Sequence, residues 1–418
     1  MKTYFFQTLI LIFFGFSAIS QNLSEIYKAG TVHLEAVTYY GTENNWNELF
    51  ADYEKFAFGK HIGKYKKIVI APDGSIFMSH KTRHEIWKFD KDGNFIKKFG
   101  KKGSGPGQFI MLPGVQGILD NQFLYTNDVH GRMMFFDLDG NYIKTLKLDY
   151  MPLGTTPLKG RKIAILGHVP WKGQKSKKIL VIKDFDTGKE KTIWYEFEEY
   201  CKSTIIINIP KGGMMSCSLP FTHPSLTRFR MSTSKEGNLI VASPKDGIMT
   251  GFSPEGEKLN SFQLNIEPLQ ISDEDIIEYF ETGKSNFSKF EKSVENNLEL
   301  SEDDKKNIIK QYRQQIDKFK DKDLYPKHLP YFSTLMVDSD GNILVFEFTK
   351  EEKTNRFRVY SFDTEGNFLC TSTFDAPGYK INLSAGTFVF HNGFVYAVAE
   401  KEDGGEIPLR LVKFIITK

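Results

Sequence analysis

The sequence predicts an all-β fold, a six-bladed β-propeller of four-stranded blades with an α-helical insertion between blades 4 and 5. Two recurring hairpin turns, with β-rich segments between them, lead to this prediction because fixed-period repeats of short strands are typical of propellers. The composition, 40% hydrophobic and 14% aromatic, favours a large folded core over disorder.

The first recurring turn consists of an aromatic residue, usually an Asp, two further residues and a Gly. Gly accepts the positive φ that a tight hairpin needs, so this pattern between β-rich segments predicts a turn joining two strands. The copies are Phe89–Gly93, Phe136–Gly140, Phe252–Gly256, Phe362–Gly366 and a shortened one, Phe185–Gly188.

A second turn precedes each of these by one or two strands and defines six units. Its copies are Asp73-Gly74, Asp120-Asn121, Lys159-Gly160, Glu236-Gly237, Asp340-Gly341 and Asn392-Gly393. In the second unit the predicted strands are Gly114–Leu119, Gln122–Asn127, Arg132–Asp137 and Asn141–Leu148. Four strands at this spacing are typical of a propeller blade.

The sixth unit ends with Pro408–Thr417 as its third strand, so a fourth strand is missing there. The segment from about 31 to 40 alternates apolar and polar residues and is the candidate to pair with the last blade. Such pairing would remove two open sheet edges. An independent edge strand is the alternative.

The first 20 residues are typical of a secretory signal peptide. A basic start at Lys2 is followed by an apolar stretch, Phe5–Phe16, and by small residues before Gln21. The stretch is shorter than the roughly 20 residues of a membrane span, and no second long apolar stretch follows. We therefore expect an exported protein, periplasmic or extracellular, with no transmembrane segment and with the propeller over residues 21–418.

The segment Phe99–Phe109, with its Gly-Lys-Lys-Gly-Ser-Gly-Pro-Gly-Gln core, and the following Leu112-Pro113-Gly114 resemble a blade-to-blade connector of the NHL-repeat propellers. The chain from 31 to 418 also resembles the six-bladed propellers that Bacteroidetes export, many of them without an assigned function. One good copy of the connector is present, and the other blades match by pattern. The resemblance implies the fold and leaves the ligand open.

Several kinds of site are disfavoured by the residues. The Gly-rich connector lacks the Gly-Lys-Ser/Thr ending of a phosphate-binding loop. In Asp90–Asn94 the Gly comes too early for a calcium loop. A net charge of +3 does not indicate nucleic-acid binding. The sequence contains no Cys-x-x-Cys pair, which would be typical of a structural zinc site. Cys201 and Cys217, in a segment predicted to be irregular, could form a disulfide, whereas Cys370 falls in a predicted strand. We expect no cofactor and no metal.

Strands in a blade alternate in direction, so the loop between the second and third strands shares a face with the connectors between blades. The Asp-Gly turns lie on the opposite face. Because function concentrates on irregular loops held by a rigid scaffold, we expect binding on the connector side. The candidate binding residues are His80, Arg83, His84, Asn127, Asp128, His130, Arg132, His168 and Trp171. His80 and His84 are expected on one loop.

Two insertions, about 198–226 and about 268–329, interrupt connectors and therefore belong to the same face. The second is predicted to be helical, with capping-box-like starts at Ser272 and Ser301. Apolar residues recur at helical spacing, including Ile276, Ile277, Phe280, Ile308 and Tyr312. These apolar stripes could pack on the propeller rim, or form a lid or a partner-docking surface.

Two classes of function are consistent with these features. The favoured one is a monomeric binding module for a protein, peptide or glycan. The alternative is a lactonase-like hydrolase or lyase acting at the channel mouth. The innermost strands are predicted to start near Lys67, Gly114, Met151, Arg228, Tyr331 and Gly386, none of them acidic. Asp128, Glu347 and Glu400 could reach inward from second strands. No nucleophile motif is visible, so no catalytic residue is assigned.

Overall fold

The computed structural model describes residues 22–42, 67–80, 83–110, 114–127, 131–170, 175–199, 204–209, 213–218, 228–297, 300–316, 321–350, 354–381, 383, 386–403 and 409–418. The predicted signal peptide lies outside these residues. The all-β prediction is confirmed, because strands make up most of the described chain and the helices are few.

Four antiparallel sheets of four strands each follow one another along the chain, and in each the strands pair in sequence order. Sheet 1 contains β2 (Ile68–Ile70), β3 (Ile76–His80), β4 (Glu85–Phe89) and β5 (Phe95–Phe99). After the short parallel pair β6 (Lys101–Lys102) and β7 (Gln108–Phe109), sheet 2 contains β8 (Gly114–Leu119), β9 (Phe123–Asn127), β10 (Arg132–Asp137) and β11 (Tyr142–Lys147). These last four differ from the predicted strands by one residue at most.

Sheet 3 contains β12 (Met151–Leu158), β13 (Lys162–Pro170), β14 (Lys175–Asp184) and β15 (Glu190–Glu199). A separate hairpin follows, formed by β16 (Thr204–Ile209) and β17 (Gly213–Ser218). The prediction of an irregular segment here is therefore wrong in part, since ladder hydrogen bonds continue through Cys217. Sheet 4 contains β18 (Arg230–Thr233), β19 (Leu239–Ser243), β20 (Ile248–Phe252) and β21 (Lys258–Gln263).

The remaining strands form one nine-stranded sheet that includes the N-terminal strand β1 (Thr31–Tyr39). It also contains β22 (Phe332–Val337), β23 (Ile343–Glu347), β24 (Arg356–Phe362), β25 (Phe368–Asp375), β26 (Tyr379–Ile381), β27 (Phe388–His391), β28 (Phe394–Lys401) and β29 (Leu409–Thr417). Strand β1 lies between the two halves, parallel to β25 and antiparallel to β29. It therefore joins two groups of strands that would otherwise end in open edges.

The first strands of the successive groups form a closed circle, which we call the inner ring. Each of β2, β8, β12, β18, β22 and β27 contacts the next, and β27 contacts β2 again. Both faces of β8 pack on neighbouring sheets, since Val115 belongs to a cluster shared with sheet 1 and Leu119 to one shared with sheet 3. The inner ring thus surrounds a central channel.

Hydrophobic clusters fill the spaces between neighbouring sheets and hold the circle together. Phe77 of sheet 1 shares a cluster with Phe136 of sheet 2, and Ile240 of sheet 4 shares one with Val345 on β23. The circle closes where Tyr396 on β28 packs in one cluster with Ile68 of sheet 1. Burial of large apolar side chains between sheets is the main stabilising term for such a fold.

The predicted Asp-Gly turns have a common hydrogen-bond pattern. The Asp90 carboxylate accepts from the backbone N–H groups of Asp92 and Asn94 at 2.9 and 2.8 Å, and from the Asn94 side chain at 2.9 Å. Gly93 has φ +96°, which an L side chain rarely adopts. Asp137 with Asn141, Asp338 with Asn342 and Asp363 with Asn367 repeat the pattern. These carboxylates therefore stabilise turns.

Between β21 and β22 the chain forms two helices, which we number after the short N-terminal helix α1 (Leu23–Tyr27). Helix α2 spans Asp273–Glu295 and α3 spans Glu302–Ile316. Their apolar sides pack on each other in a small core that includes Val294, Ile308 and Tyr312. Ile277, expected in the apolar stripe, is instead 62% exposed. Helix α3 also lies against strand β16, so the two insertions contact each other.

Helix α2 is anchored at its start. Ser272 caps it, accepting from the Asp275 backbone N–H at 3.1 Å, and the Asp275 carboxylate accepts from the Ser272 N–H at 2.9 Å. That carboxylate also pairs with Lys350, after β23. Across the described residues, no helix is long and apolar enough to cross a membrane.

Candidate functional site

In sheets 1–4 the antiparallel strand order places two kinds of segment at one end of the inner ring. These are the connectors between sheets and the loops between second and third strands. We call this end the connector face and the opposite end the turn face. The inner strands start at the connector face. Their first residues therefore surround the opening of the channel, which we call the channel mouth, defined by Lys67, Gln116, Thr155, Arg228, Arg230 and Ser333.

Lys67 lies just before β2 and is the first cation of the channel mouth. Its Nζ donates to Oε1 of Gln116 on β8 at 2.5 Å. The same Gln116 oxygen accepts from Thr155 Oγ1 on β12 at 3.4 Å, while Gln116 Nε2 donates to Gly114 O at 3.1 Å. Gly386, just before β27, packs on the Lys67 stem, and a Cβ there would lie 2.7 Å from Cγ. Gln116 on β8 and the segment just before β27 therefore contact this lysine directly, whereas Thr155 on β12 is linked to it only through Gln116.

Arg228 and Arg230 provide two more cations at the start of β18. Arg228 Nη1 donates to Leu153 O on β12 at 3.3 Å. Arg230 Nε donates to Ser333 O on β22 at 2.8 Å, and its Nη1 donates to Arg228 O at 2.7 Å. Both side chains thus extend sideways from sheet 4 toward the neighbouring inner strands, along the rim of the channel.

The surroundings of Lys67 and Arg230 at the channel mouth disfavour the charged forms of both side chains. Burial, together with the positive charge of Arg228, lowers the pKa of Lys67 to about 8. The same two causes lower the pKa of Arg230 to about 10. Because the pKa values of both groups are lowered, desolvation and repulsion from Arg228 outweigh the stabilisation that the protein gives to their charged forms.

The residues predicted from the sequence are spread over sheets 1–3 on the connector side. Asp128, His130 and Trp171 lie outside the described residues. His80 is the last residue of β3 and pairs with Glu85, so it does not share the loop of His84 as expected. His168 lies inside β13, paired with Met151 and Lys178, because the ladder extends beyond the predicted strand end.

The other predicted residues within the described chain lie in a loop or at the ends of strands. Arg83 is exposed and His84 is half-buried, with φ +58° in a tight loop. Asn127 ends β9 and pairs with Gly114, next to the channel mouth. The Arg132 guanidinium donates to Ser104 O at 3.3 Å and to Gln108 O at 3.4 Å, and so holds the Gly-rich connector.

The carboxylates that could have reached inward give no metal site among the described residues. Glu347, at the end of β23, accepts from Arg358 Nη1 at 3.4 Å and from Tyr360 OH at 3.2 Å, both on the third strand β24. Its carboxylate therefore points away from the channel. Over the described part of the chain, no three His, Cys, Asp or Glu side chains are grouped closely enough to hold a metal ion.

The cations of the channel mouth were missed as candidate residues, although the sequence placed Lys67 and Arg228 at the starts of inner strands. The signal was present as two arginines at alternate positions, Arg228 and Arg230, ahead of a β-rich segment. The two side chains reach opposite neighbours, Arg228 toward β12 and Arg230 toward β22.

Comparison with solved structures gives similar folds at low identity. A protein described as exported, from Bacteroides fragilis, is 12% identical, with 93% of this chain and 95% of that chain covered and a TM-score of 0.47. A DUF4221 family member from Bacteroides vulgatus is 13% identical, with 92% and 98% covered and a TM-score of 0.47. A catalytically inactive virginiamycin B lyase from Staphylococcus aureus, with quinupristin, is 10% identical, with 85% and 97% covered and a TM-score of 0.38.

Similarities this weak carry no information about ligand or reaction. Among curated proteins, none matches the sequence. A family model, however, matches residues 60–325, more than half of the chain, and its family is described as a 6-bladed beta-propeller. The inner ring and the clusters between sheets agree with that description. The chain therefore belongs to the DUF5128 family of six-bladed β-propellers.

Proposed function

We propose that this protein is a binding module that holds a protein, peptide or glycan at its connector face. The observation that carries the proposal is the channel mouth, where inner strands of different sheets present cationic and amide side chains on one rim. Convergent polar groups around a concavity are typical of ligand sites.

The positions of the two insertions also favour the connector face as the binding face. Both interrupt connectors, and helix α3 lies against strand β16, so the two insertions are in contact with each other. Helices α2 and α3 pack on each other through a small apolar core, and we propose that they form one wall of the binding surface. The candidate residues Arg83, His84, Asn127 and Arg132 belong to this proposed surface.

The blade assignment is part of the proposal. Sheets 1–4 correspond to blades 1–4, and β22–β25 correspond to blade 5. Blade 6 consists of β27, β28 and β29 with β1 as its outer strand. Helices α2 and α3 then form an insertion between blades 4 and 5.

We also propose that residues 1–20 direct export and that the mature protein, residues 21–418, is a monomer. N-terminal sequencing of protein recovered outside the cytoplasm should begin at Gln21, and sedimentation should give the mass of one chain. An unprocessed N-terminus, or a stable dimer, would contradict these two parts.

The binding proposal can be tested with the mature chain on arrays of glycans and peptides. Arg83→Glu on the connector face is compared with Lys91→Glu on the turn face, since both positions are exposed. We expect binding to a defined class of array ligand, weakened by Arg83→Glu and unchanged by Lys91→Glu. Equal effects of both variants, no bound class, or chemical turnover of the bound ligand would refute the proposal, turnover in favour of a lactonase-like hydrolase or lyase.

A further inference from the structure

A cleft opens at the turn face between sheet 4 and the β22–β25 group, and we call it the turn-face cleft. It encloses about 410 Å³ of empty space, part of which is open to solvent. Apolar side chains from both sides line it, among them Met249 and Ile343, and the turn Ser234–Asn238 lies at its rim. The cleft is therefore a partly apolar concavity at the end of the ring opposite the connector face.

Gly251 leaves this cleft open. It lies on β20, directly before the aromatic residue of the first recurring turn. In sheet 1 the residue at that position is Lys88, which is buried and donates from Nζ to Leu138 O of sheet 2 at 2.8 Å. In sheet 2 it is Phe135, which is fully buried with its ring 4.7 Å from that of Phe185 after β14. Side chains at this position therefore fill the space between neighbouring sheets, whereas the glycine leaves it free.

In the β22–β25 group the same position is Ser361, and there the space is covered by helix α1. Leu344 lies opposite Ser361 in the strand ladder, as Ile240 lies opposite Gly251 in sheet 4. Residues directly opposite each other point to the same face of a sheet. Leu344 shares a hydrophobic cluster with Tyr27 of α1. Helix α1 thus covers the face that corresponds to the cleft side of sheet 4.

The turn Asp338–Asn342 holds α1 by hydrogen bonds. The Asp338 carboxylate accepts from the Tyr27 hydroxyl at 2.8 Å, and the Asp340 carboxylate accepts from the backbone N–H of Leu23, also at 2.8 Å. The second of these bonds pairs a negative charge with the N–H at the start of the helix. Charge and backbone geometry together therefore position α1 on this turn.

Sheet 4 repeats this turn as Ser234–Asn238. In both turns the backbone N–H of the first residue donates to the carbonyl oxygen of the fifth, at 2.9 Å in Ser234–Asn238 and at 3.0 Å in Asp338–Asn342. Glu236 is then the equivalent of Asp340, an exposed carboxylate that lines the cleft. Its Oε2 accepts from Ser234 Oγ at 2.8 Å, and a carboxylate can accept further donors. The rim therefore offers an incoming helix the negative charge that α1 uses.

Two differences from the α1 contact determine which side chain fits. Ser234 stands where Asp338 stands, so no carboxylate is in place to accept from a tyrosine hydroxyl. Phe262 stands where Ser372 stands and fills part of the corresponding space with an apolar ring. Both differences favour an apolar side chain over Tyr27 or another phenol.

We propose that the turn-face cleft binds a short helical segment of a partner protein, with a bulky apolar side chain in the space beside Gly251 and a backbone N–H at its start donating to Glu236. The segment has two apolar side chains four residues apart, like Leu23 and Tyr27, because that spacing places both on one side of a helix. This site goes beyond the proposed function and does not depend on a ligand at the connector face.

The probe that tests this inference is a synthetic peptide of residues 22–30 with Tyr27→Phe and Ala29→Lys, closed by a lactam bridge between the side chains of residues 25 and 29. Both bridge positions are exposed on α1, so the bridge holds the helix without touching its apolar side. The mature chain carries a 13C label in its methionine methyl groups. Met249 is 1% exposed and lines the cleft, whereas Met336 belongs to the cluster that α1 covers.

We expect the peptide to move the Met249 methyl signal saturably, with a Kd of about 1 mM or tighter, and to leave the Met336 signal in place. Gly251→Leu should weaken binding at least about tenfold, because the new side chain occupies the space of the ligand. The nearest atom to its Cβ is Oδ1 of Asn260, an exposed side chain that can turn away. Thr250→Leu is the matched control on β20, since its side chain points to the other face of sheet 4, and it should bind as the wild type does.

Glu236→Lys provides a second variant, at an exposed position outside the apolar part of the cleft. It should weaken binding about threefold or more, because it replaces attraction for the start of the helix with repulsion. Thermal unfolding checks that Gly251→Leu and Thr250→Leu fold, and Glu236→Lys decides if Gly251→Leu does not.

Wild-type affinity in a folded Gly251→Leu or in Glu236→Lys would overturn the inference. It would also be overturned if the Met249 signal did not move at about 5 mM peptide. Movement of the Met336 signal alone would mean that the peptide replaces α1 on its own turn, and this result also contradicts a site at the turn-face cleft.

Discussion

The hydroxyl of Tyr27 donates a 2.8 Å hydrogen bond to Oδ2 of Asp338, across 311 residues of sequence. Tyr27 ends helix α1 and is fully buried, with its ring 5.6 Å from that of Phe374. Two neighbouring contacts add to it, from Leu23 N to Asp340 at 2.8 Å and from Ser24 to Asn342 at 3.0 Å. The N-terminal helix therefore docks on the first turn of the β22–β25 group.

Tyr27→Phe should lower the free energy of unfolding by about 1–3 kcal/mol, because it removes a donor from a buried carboxylate. Urea denaturation measures this difference. Tyr195→Phe serves as the control, since Tyr195 is 58% exposed, and it should change stability by less than about 0.5 kcal/mol. Equal stability of Tyr27→Phe and the wild type would mean that the hydrogen bond contributes nothing.

Leu34→Ala on β1 should destabilise the protein by about 2–5 kcal/mol, since Leu34 is 1% exposed in the cluster shared by β1, β24 and β28. Val37→Ala on the same strand is the matched control because Val37 is 50% exposed. Thermal unfolding followed by circular dichroism compares the two. Similar melting temperatures would show that β1 adds little to the fold.

Gly93→Ala should destabilise more than Gly30→Ala, although both positions have similar positive φ, +96° and +88°. At Gly93 a Cβ would lie 2.8 Å from Tyr39 O, whereas at Gly30 nothing lies within 4 Å. Both variants incur the conformational cost of about 1–2 kcal/mol, and only the first adds a backbone clash. Chemical denaturation of both variants measures the difference, and equal losses would contradict the close approach of this turn to β1.

The stability difference between wild type and Lys67→Met should change with pH. The folded pKa of about 8 lies below the ordinary value of 10.5, so between these values the unfolded chain binds more protons at this site. Stability contributed by this site therefore rises with pH over that range, by up to about 3 kcal/mol. Urea titrations of both proteins at pH 7, 8.5 and 10 measure the effect. A constant difference would mean that the lysine is not destabilised in the fold.

Local chemistry explains which parts of the fold could be predicted. A turn such as Asp90–Asn94 is determined by neighbours in sequence: a carboxylate that accepts backbone N–H groups and a glycine with positive φ. The strands on either side follow from alternation of apolar residues. A further regularity of these turns did not enter the prediction: the turn Gly is followed by an Asn, at Asn94, Asn141 and Asn367.

The channel mouth was harder to predict because its residues meet only when the inner ring closes. Lys67 and Arg228 are far apart in sequence, and nothing local to either shows that the other is near. Some strands were also predicted to end too early. His168 lies within β13 because backbone pairing with β14 continues to Pro170. Such long-range pairing is not visible in the pattern of one segment.

The position of β1 between β25 and β29 also affects the order of folding. Thr417 Oγ1 donates to Glu35 Oε1 at 2.9 Å across 382 residues, so this pairing joins segments synthesised almost the whole chain apart. Contacts at such sequence separation form late and slowly. A nascent chain that has not reached Leu409 cannot complete the circle. It exposes β28 and β1 as free edges, and recognition by chaperones or proteases would be most effective at that stage.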